Sequence, residues 1–285
     1  MTSSPREQSL PRLWFAAGVG NAFTSSLLNP LDAAKTRMQT TGNSSLSSTL
    51  IAMFRTGGLS GLFFPGLAAS VIREFVYSGP RVGFYTPVRD YYVSRLNVQA
   101  DAPAVKVAAA LTTGATSCLL ANPIDVVKIR MQRDPARYAN ALSALPDIWR
   151  AEGARGLFKG LAPSTLRGAS LSVGQLAFYD IVKTALRDDV GLREGAALHV
   201  ASALATGIAA AVCAAPFDML KARCMSADGS VETMRSVLRA LAAERALPGA
   251  LFRGVMPAYL RQGPHALIML PVMEKLRALL GLDPV

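Results

Sequence analysis

Three arginines interrupt segments that are otherwise apolar, and they recur at a fixed spacing. Arg73, Arg167 and Arg261 lie 94 residues apart, each in the middle of an apolar stretch. An arginine inside a membrane span stays ionised, is costly to bury, and by default marks the path of a substrate or an ion. Guanidinium groups match the oxygens of carboxylates and phosphates, so three in one layer predict a site for a small anion. The alternative is that each arginine snorkels or pairs locally, as Arg73 could with Glu74.

A second repeated motif joins a proline to an acid and a base. The string Pro-x-Asp-x-x-Lys-x-Arg begins at Pro30, Pro123 and Pro216, and its copies are 93 residues apart. Proline inside a helix removes a backbone donor and kinks it, so each motif predicts a bend towards a common axis. Charges in lipid are favourable only when they are paired or wet, which predicts a ring of ion pairs that can seal or open. Its members are Asp32, Lys35, Asp125, Lys128, Asp218 and Lys221. The alternative is a set of static surface pairs at helix ends.

These residues need apolar helices to hold them in place. Charge-free runs cover Leu13 to Leu31, Val107 to Ile124 and Ala196 to Phe217, each near the length that spans about 30 Å of hydrocarbon. Three more apolar segments contain the arginines, at roughly 66–88, 160–182 and 254–276. The chain is 51% apolar and 17% charged, with a mean hydropathy of +0.29, as is typical of a lipid-embedded protein. The sequence therefore predicts an all-α membrane protein with six spanning helices in three hairpins.

The tripled motifs resemble those of the mitochondrial carrier family, and the resemblance covers roughly Leu13 to Leu282. It implies a pseudo-threefold bundle around a water-accessible cavity that opens alternately to the two sides of the inner membrane. Gln39 and Gln132 lie where the family has bracing glutamines, whereas the third repeat has Met225, so one brace is expected to be absent. The ion pairs that the resemblance implies for the matrix gate are Asp32–Lys128, Asp125–Lys221 and Asp218–Lys35.

The resemblance places the substrate contacts at three dipeptides, which are Arg73-Glu74, Arg167-Gly168 and Arg261-Gln262. Arginine at all three positions resembles the branch of dicarboxylate, oxoglutarate and uncoupling-protein carriers, and the strings at 170–176 and 257–265 resemble the dicarboxylate carrier in particular. Glu74 departs from that branch, which usually has glutamine there, and an acid could lower the charge of the site or admit a proton or an amine. Secondary candidates on the same helix faces are Arg81, Gln175 and His265, of which the last two could equally serve core packing.

A further motif, with copies 94 residues apart, resembles the family's gate at the cytoplasmic end. Its copies are Tyr85-Thr86 with Arg89, Tyr179-Asp180 with Lys183, and Met273-Glu274 with Arg277. Thr86 replaces an acid and Met273 an aromatic residue, so only Arg89–Asp180 and Lys183–Glu274 can form ion pairs. We expect this gate to be weaker than the matrix gate, which predicts a bias towards the state open to the intermembrane space.

Orientation and lipid contacts follow from the loops. Sixteen of the 30 Lys and Arg residues lie in the loops at 35–59, 128–159 and 221–253, which favours the matrix for these loops and the intermembrane space for both termini. Short amphipathic helices are expected in them, near 45–55, 139–151 and 231–246. A base followed by glycine opens two of the even-numbered helices, where backbone donors and the helix dipole attract anions. The resemblance implies that cardiolipin binds there. The first repeat has Gly66 without the base, so its site is expected to be the weakest, and a plain helix start is the alternative. The other members of that set are Lys159, Gly160, Arg253 and Gly254.

The sequence divides into a polar tail at 1–11 and three repeats at 12–98, 99–192 and 193–285. The leading hypothesis is a monomeric transporter that exchanges dicarboxylates against phosphate or another dicarboxylate, and a proton leak of the uncoupling-protein kind is its alternative. A pI of 10.0 could also suit a nucleic-acid scaffold, but the cations line gates, loops and cavity instead of exposed faces. No nucleophile and base constellation, phosphate loop or metal-ligand spacing is present, so we expect no catalysis, cofactor or metal.

Overall fold

The computed structural model describes most of the chain, and all regular structure in its described part is helical. The described ranges are 10–41, 45–99, 102–138, 140–188, 196–227, 233–243, 249–252 and 255–282. Most of the predicted N-terminal tail lies outside them. The helices are α1 (Leu10–Leu27), α2 (Asn29–Thr41), α3 (Leu46–Phe63), α4 (Leu67–Gly83), α5 (Tyr85–Leu96), α6 (Pro103–Arg133), α7 (Ala141–Leu157), α8 (Leu161–Asp188), α9 (Ala196–Ser226), α10 (Met234–Ala243) and α11 (Val255–Leu279), with a 3₁₀ turn at Gly249–Phe252.

Six of these helices pack as a closed ring in chain order. Helix α1 packs on α4, α4 on α6, α6 on α8, α8 on α9 and α9 on α11, and α11 returns to α1. We count these helices by their position in the ring. The first, third and fifth, called odd-numbered below, are α1 with its continuation α2, α6 and α9. The second, fourth and sixth, called even-numbered below, are α4, α8 and α11. This arrangement confirms the predicted all-α fold of three hairpins around a central axis.

Hydropathy alone marks fewer spans than the predicted six. In the described ranges, two helical segments are long and apolar enough to cross a membrane, at Ala104–Arg133 and Ala205–Ser226. A third is found if Leu46–Phe63 and Leu67–Leu96, which bend by 40°, count as one span. The even-numbered helices carry arginines in their middle, and each of these lowers the mean hydropathy of the segment around it.

The three motif prolines have different effects on their helices. The first odd-numbered helix is interrupted at Leu28, directly before Asn29 and Pro30. By contrast, α6 continues through Pro123 and α9 through Pro216 without a break in helical assignment. The helix is therefore interrupted at the motif in the first repeat alone, and the predicted bends at Pro123 and Pro216 stay predictions.

Short helices at 46–63, 141–157 and 234–243 lie close to the three predicted amphipathic segments. The Ser45 hydroxyl accepts from the Ser48 backbone N–H at 3.4 Å, and the Asn140 side chain accepts from the Ser143 N–H at 2.7 Å, so α3 and α7 begin at capped ends. Both helices contain a glycine with positive φ, Gly58 and Gly153.

Two glycines that were expected to bind lipid are required by the packing between repeats. Gly66 and Gly160 have φ of 69° and 71° and precede α4 and α8. A Cβ at Gly66 would lie 3.0 Å from Gln132 Cγ, and one at Gly160 would lie 2.7 Å from Met225 Cγ. Each glycine therefore lets the next repeat approach closely, which a side chain would prevent.

Candidate functional site: a charged central cavity

The three proline motifs meet at one end of the helix ring, where their charges form a closed circuit. Each aspartate accepts from a lysine of the next repeat, and the third repeat pairs with the first. The nitrogen–oxygen distances are 3.0 Å for Asp32–Lys128, 2.6 Å for Asp125–Lys221 and 2.7 Å for Asp218–Lys35. We call these six residues the charge ring. Its pairs are those that the sequence predicted, and its side chains are all largely buried.

The three repeated arginines reach the same aspartates through the second carboxylate oxygen. Arg73 Nε lies 3.1 Å from Asp125 Oδ1, and Arg261 Nε lies 2.9 Å from Asp32 Oδ1. The third contact joins Arg167 Nε to Asp218 Oδ1. The Arg261 contact is an ion pair without hydrogen-bond geometry, since this nitrogen has no hydrogen-bond partner. Each carboxylate is therefore shared by one lysine and one arginine.

This sharing supplies the three arginines with negative charge from the protein itself. Each of the three has an acidic partner within the protein. Arg73 also has the local pair considered above, because its Nη1 lies 3.0 Å from Glu74 Oε1. Glu74 is buried and accepts a second hydrogen bond from Ser25 Oγ at 3.1 Å. The arginines thus bridge the charge ring to the cavity above it.

That cavity has two adjoining lobes. The smaller lobe, of about 440 Å³, is lined by seven cations and four carboxylates, which leaves a surplus of three positive charges. The larger lobe has a volume of about 870 Å³ and borders α2, α4, α6, α8, α9 and α11. The cations of the smaller lobe are Lys35, Arg73, Arg81, Lys128, Arg167, Lys221 and Arg261, and its carboxylates are Asp32, Glu74, Asp125 and Asp218.

The secondary candidates lie in different places. Arg81 and His265 line both lobes, and Gly168 lines the larger one. The guanidinium carbon of Arg81 lies 5.6 Å from the ring centre of Tyr77, and that of Arg73 lies 4.5 Å from the same ring centre. Sequence reasoning missed Tyr77, although its spacing of four residues from each arginine would place all three on one helix face. The side chains of Gln175 and Gln262 lie outside the described residues.

The expected bracing glutamines make contacts between repeats. Gln132 is fully buried; its Oε1 accepts from Thr36 Oγ1 at 2.8 Å, and its Nε2 donates to Asn29 Oδ1 at 3.3 Å. Gln39 is also buried, and its backbone carbonyl accepts from Arg223 Nε at 3.3 Å. These hydrogen bonds hold repeats together beside the charge ring.

Two asparagines that the sequence analysis passed over fix the ends of the short helices. Asn29 Nδ2 donates to the carbonyls of Phe63 and Pro65, at 2.7 and 3.0 Å. Asn122 Nδ2 makes the equivalent bonds to Leu157 and Lys159, at 2.7 and 3.1 Å. Their spacing of 93 residues was a readable signal, and the third repeat has Ala215 at this position.

Met225 breaks the pattern at the seam between the second and third repeats. Asn122 Oδ1 is buried without a hydrogen-bond partner, whereas the matching oxygen of Asn29 has Gln132. Ile129 stands where the first repeat has Thr36, and it is buried in one apolar cluster with Met225. An apolar pair has therefore replaced a polar one.

This difference predicts the outcome of restoring the polar pair. In Met225→Gln, the new amide nitrogen can donate to Asn122 Oδ1, but the new amide oxygen faces the apolar Ile129. We therefore expect little net change in the free energy of unfolding. Adding Ile129→Thr supplies the missing donor, and the double variant should be more stable than Met225→Gln by about 1 kcal/mol. Thermal unfolding of the purified variants tests this, with Met225→Leu as the control. Equal unfolding temperatures for the single and double variants would contradict it.

The prediction that the ammonium group of Lys159 contacts lipid is wrong. Lys159 Nζ is buried, lies 2.6 Å from Glu152 Oε2 and donates to the Ala227 carbonyl at 3.0 Å. Glu152 also pairs with Arg130 at 2.7 Å. A buried acid satisfies this cation, which therefore does not face lipid headgroups. Arg253 and Gly254 lie outside the described residues.

The motif expected at the opposite end of the bundle is only partly described. Arg89 lies 2.8 Å from Asp90, its neighbour in sequence. The Asp180 side chain lies outside the described residues, so the pairing Arg89–Asp180 stays a prediction. Thr86 and Glu274 are exposed, whereas Tyr85, Tyr179, Lys183 and Arg277 are partly buried. The pair Lys183–Glu274 and the predicted bias between the two gates also remain predictions.

A ring of helices around a charged cavity, closed at one end by ion pairs between repeats, defines a membrane transport protein. Comparison with known proteins narrows the class. The sequence profile of the family described as "Mitochondrial carrier protein" matches residues 6–96, 99–190 and 193–283. The chain belongs to the mitochondrial carrier family, whose members are transporters and not enzymes.

Several relatives align along nearly the whole chain. The sequence is 30% identical to "Mitochondrial citrate transporter F" of Aspergillus niger, over 92% of this chain and 87% of that protein. It is 33% identical to "Mitochondrial uncoupling protein 1" of Arabidopsis thaliana, over 94% and 92%. It is 29% identical to "Mitochondrial brown fat uncoupling protein 1" of Ovis aries, over 92% and 90%.

Proposed function

We propose that this carrier exchanges small dicarboxylates, such as malate, succinate or oxoglutarate, against phosphate or another dicarboxylate across the mitochondrial inner membrane. The observation that carries the proposal is the surplus of three positive charges around the smaller lobe of the cavity. A dianion neutralises most of that surplus, and guanidinium forks bind carboxylate oxygens with two hydrogen bonds. The name of the Aspergillus relative, a citrate transporter, supports an organic anion of this kind.

Alternating access follows if the charge ring is the matrix gate. Its three ion pairs close one end of the cavity and can form only while the odd-numbered helices converge. The positively charged loops beyond the ring support the matrix for that side and the intermembrane space for both termini. In this proposal the carrier works as a monomer, and cardiolipin binds at the ends of the even-numbered helices.

Exchange can be measured directly with the purified protein in liposomes. We expect uptake of labelled malate, succinate, oxoglutarate or phosphate to rise at least tenfold when the liposomes contain unlabelled dicarboxylate. Empty liposomes and protein-free liposomes are the controls. If uptake is independent of internal substrate for every anion in the panel, exchange is contradicted.

An uncoupling-type proton leak is the second candidate, because the plant relative with 33% identity is an uncoupling protein. The two candidates differ in a simple way. A leak predicts proton conductance without anion exchange, and that conductance would respond to nucleotides. Exchange predicts transport that requires an anion on both sides of the membrane.

A further inference from the structure

The larger lobe of the cavity differs from the smaller one in the chemistry of its walls. Apart from the charged residues it shares with the smaller lobe, it is lined mainly by alanine, glycine, leucine and threonine. Its walls include Leu111 and Ala115 of α6 and Ala169 and Leu171 of α8. A dicarboxylate of four carbons would leave much of the 870 Å³ occupied by water alone.

Two glycines show that this space is open. A Cβ added at Gly114 or Gly168 would have no heavy atom within 4 Å, although both residues lie within long helices. At Gly174, by contrast, an added Cβ would lie 3.3 Å from Ala210 Cα, because there α8 packs directly on α9. The walls at Gly114 and Gly168 therefore border free volume that larger side chains could fill.

Arg81 supplies a cation beside this lobe that no carboxylate among the described residues neutralises. The other six cations of the cavity each pair with a carboxylate. Among the described residues, the contacts of Arg81 are with Tyr77, whose hydroxyl accepts from its Nη1 at 3.5 Å. Its side chain is exposed and borders both lobes. One of the three surplus positive charges of the cavity is therefore located next to the less polar space.

We infer that the substrate has two chemically different parts: carboxylates held near Arg81 and the arginine layer, and an apolar body of several carbons that lies in the larger lobe. This inference rests on the proposed function and narrows its substrate class to dicarboxylates with an apolar substituent. The apolar part gains affinity by leaving water for the alanine and leucine walls. A purely polar dicarboxylate binds the same cations but leaves the larger lobe filled with water.

A series of succinates that carry 2-alkyl chains of one to six carbons tests the inference. Binding is measured as the rise in unfolding temperature of the full-length detergent-solubilised protein with ligand concentration, which requires no transport. A fully buried methylene strengthens binding by about fourfold; because burial will be partial, we expect affinity to rise at least tenfold from methyl to hexyl. Affinity that is flat or falls along the series would overturn the inference.

Three variants locate the apolar part. Gly114→Leu fills the larger lobe and should remove most of the gain with chain length, whereas Gly83→Leu, at an open glycine outside both lobes, should keep it. Arg81→Gln should weaken all members of the series by a similar factor, because it removes a contact to the carboxylate they share. A gain that survives Gly114→Leu would place the alkyl chain elsewhere and overturn the assignment.

Exchange assays on the same ligands separate this inference from the proposed function. Loss of exchange for every anion, with the chain-length dependence of binding intact, would refute exchange and leave the two-part site standing. Exchange of succinate without any gain in affinity from the alkyl chains would refute the two-part site and leave exchange standing.

Discussion

Replacing Arg167 with alanine will lower the exchange rate by about 30-fold or more. Removing one partner of a desolvated charged hydrogen bond costs about 2–5 kcal/mol, and each 1.4 kcal/mol is a factor of ten. Arg167 suits this test because its partner Asp218 has a second partner, Lys35, which lies 2.7 Å away in the wild-type protein. Truncation of Arg73 would in addition leave Glu74 without its guanidinium.

Initial rates of homo-exchange in liposomes measure the effect, and thermal unfolding shows that the variant is folded. Arg155→Ala, at an exposed arginine of α7, is the matched control and should keep the wild-type rate. Arg167→Lys keeps the charge but loses the planar fork, so we expect an intermediate rate. An Arg167→Ala carrier that retains half of the wild-type rate would remove Arg167 from the substrate site.

The second large effect concerns reversal of an ion pair in the charge ring. If Asp218 and Lys35 interacted only with each other, the double variant Asp218→Lys with Lys35→Asp would keep the ion pair with its charges exchanged. Its stability would then equal that of the wild type. The structure predicts failure, because Arg167 also contacts the carboxylate of Asp218 and would then face a lysine. Leaving a buried charge without its partner costs about 3–5 kcal/mol, so the double variant should unfold several degrees below wild type.

Adding Arg167→Glu to the double variant should recover most of the lost stability, because residue 218 would again have two partners of opposite charge. The readout is thermal unfolding and not transport, since this triple variant lacks the arginine of the first prediction. Reversal of the exposed pair Asp147–Arg150, whose atoms are 3.8 Å apart, is the control and should have almost no effect. Full recovery in the double variant would show that the arginine contact is energetically unimportant.

The repeated motifs made much of the site predictable. The repeat spacings predicted a ring of acids and bases and one layer formed by Arg73, Arg167 and Arg261. The particular pairing of Asp32 with Lys128 came from the family resemblance. Periodicity alone could not show that each arginine reaches a charge-ring aspartate. That contact depends on how far the even-numbered helices lie from the odd-numbered ones, which the packing of their side chains decides.

Features that occur in one repeat alone were beyond prediction. Glu152 pairs with Arg130 and Lys159, yet a single acid in a loop has no spacing to distinguish it. Met225 was noted as a missing brace, but its role in an apolar cluster with Ile129 requires knowledge of what faces it across the seam. Symmetry thus predicts what the repeats share, and neighbours in space decide how they differ.

The three repeats are arranged around a threefold axis, but the side chains at their junctions differ. The first junction has the polar pair Gln132 and Thr36, and the second has the apolar pair Met225 and Ile129. Amide and hydroxyl groups can exchange their mutual hydrogen bonds for bonds to solvent at little cost when two surfaces separate. Methionine and isoleucine gain no such replacement, and their separation exposes hydrocarbon to water. We therefore expect separation of the sealed end to expose more hydrocarbon where the second repeat meets the third than where the first meets the second.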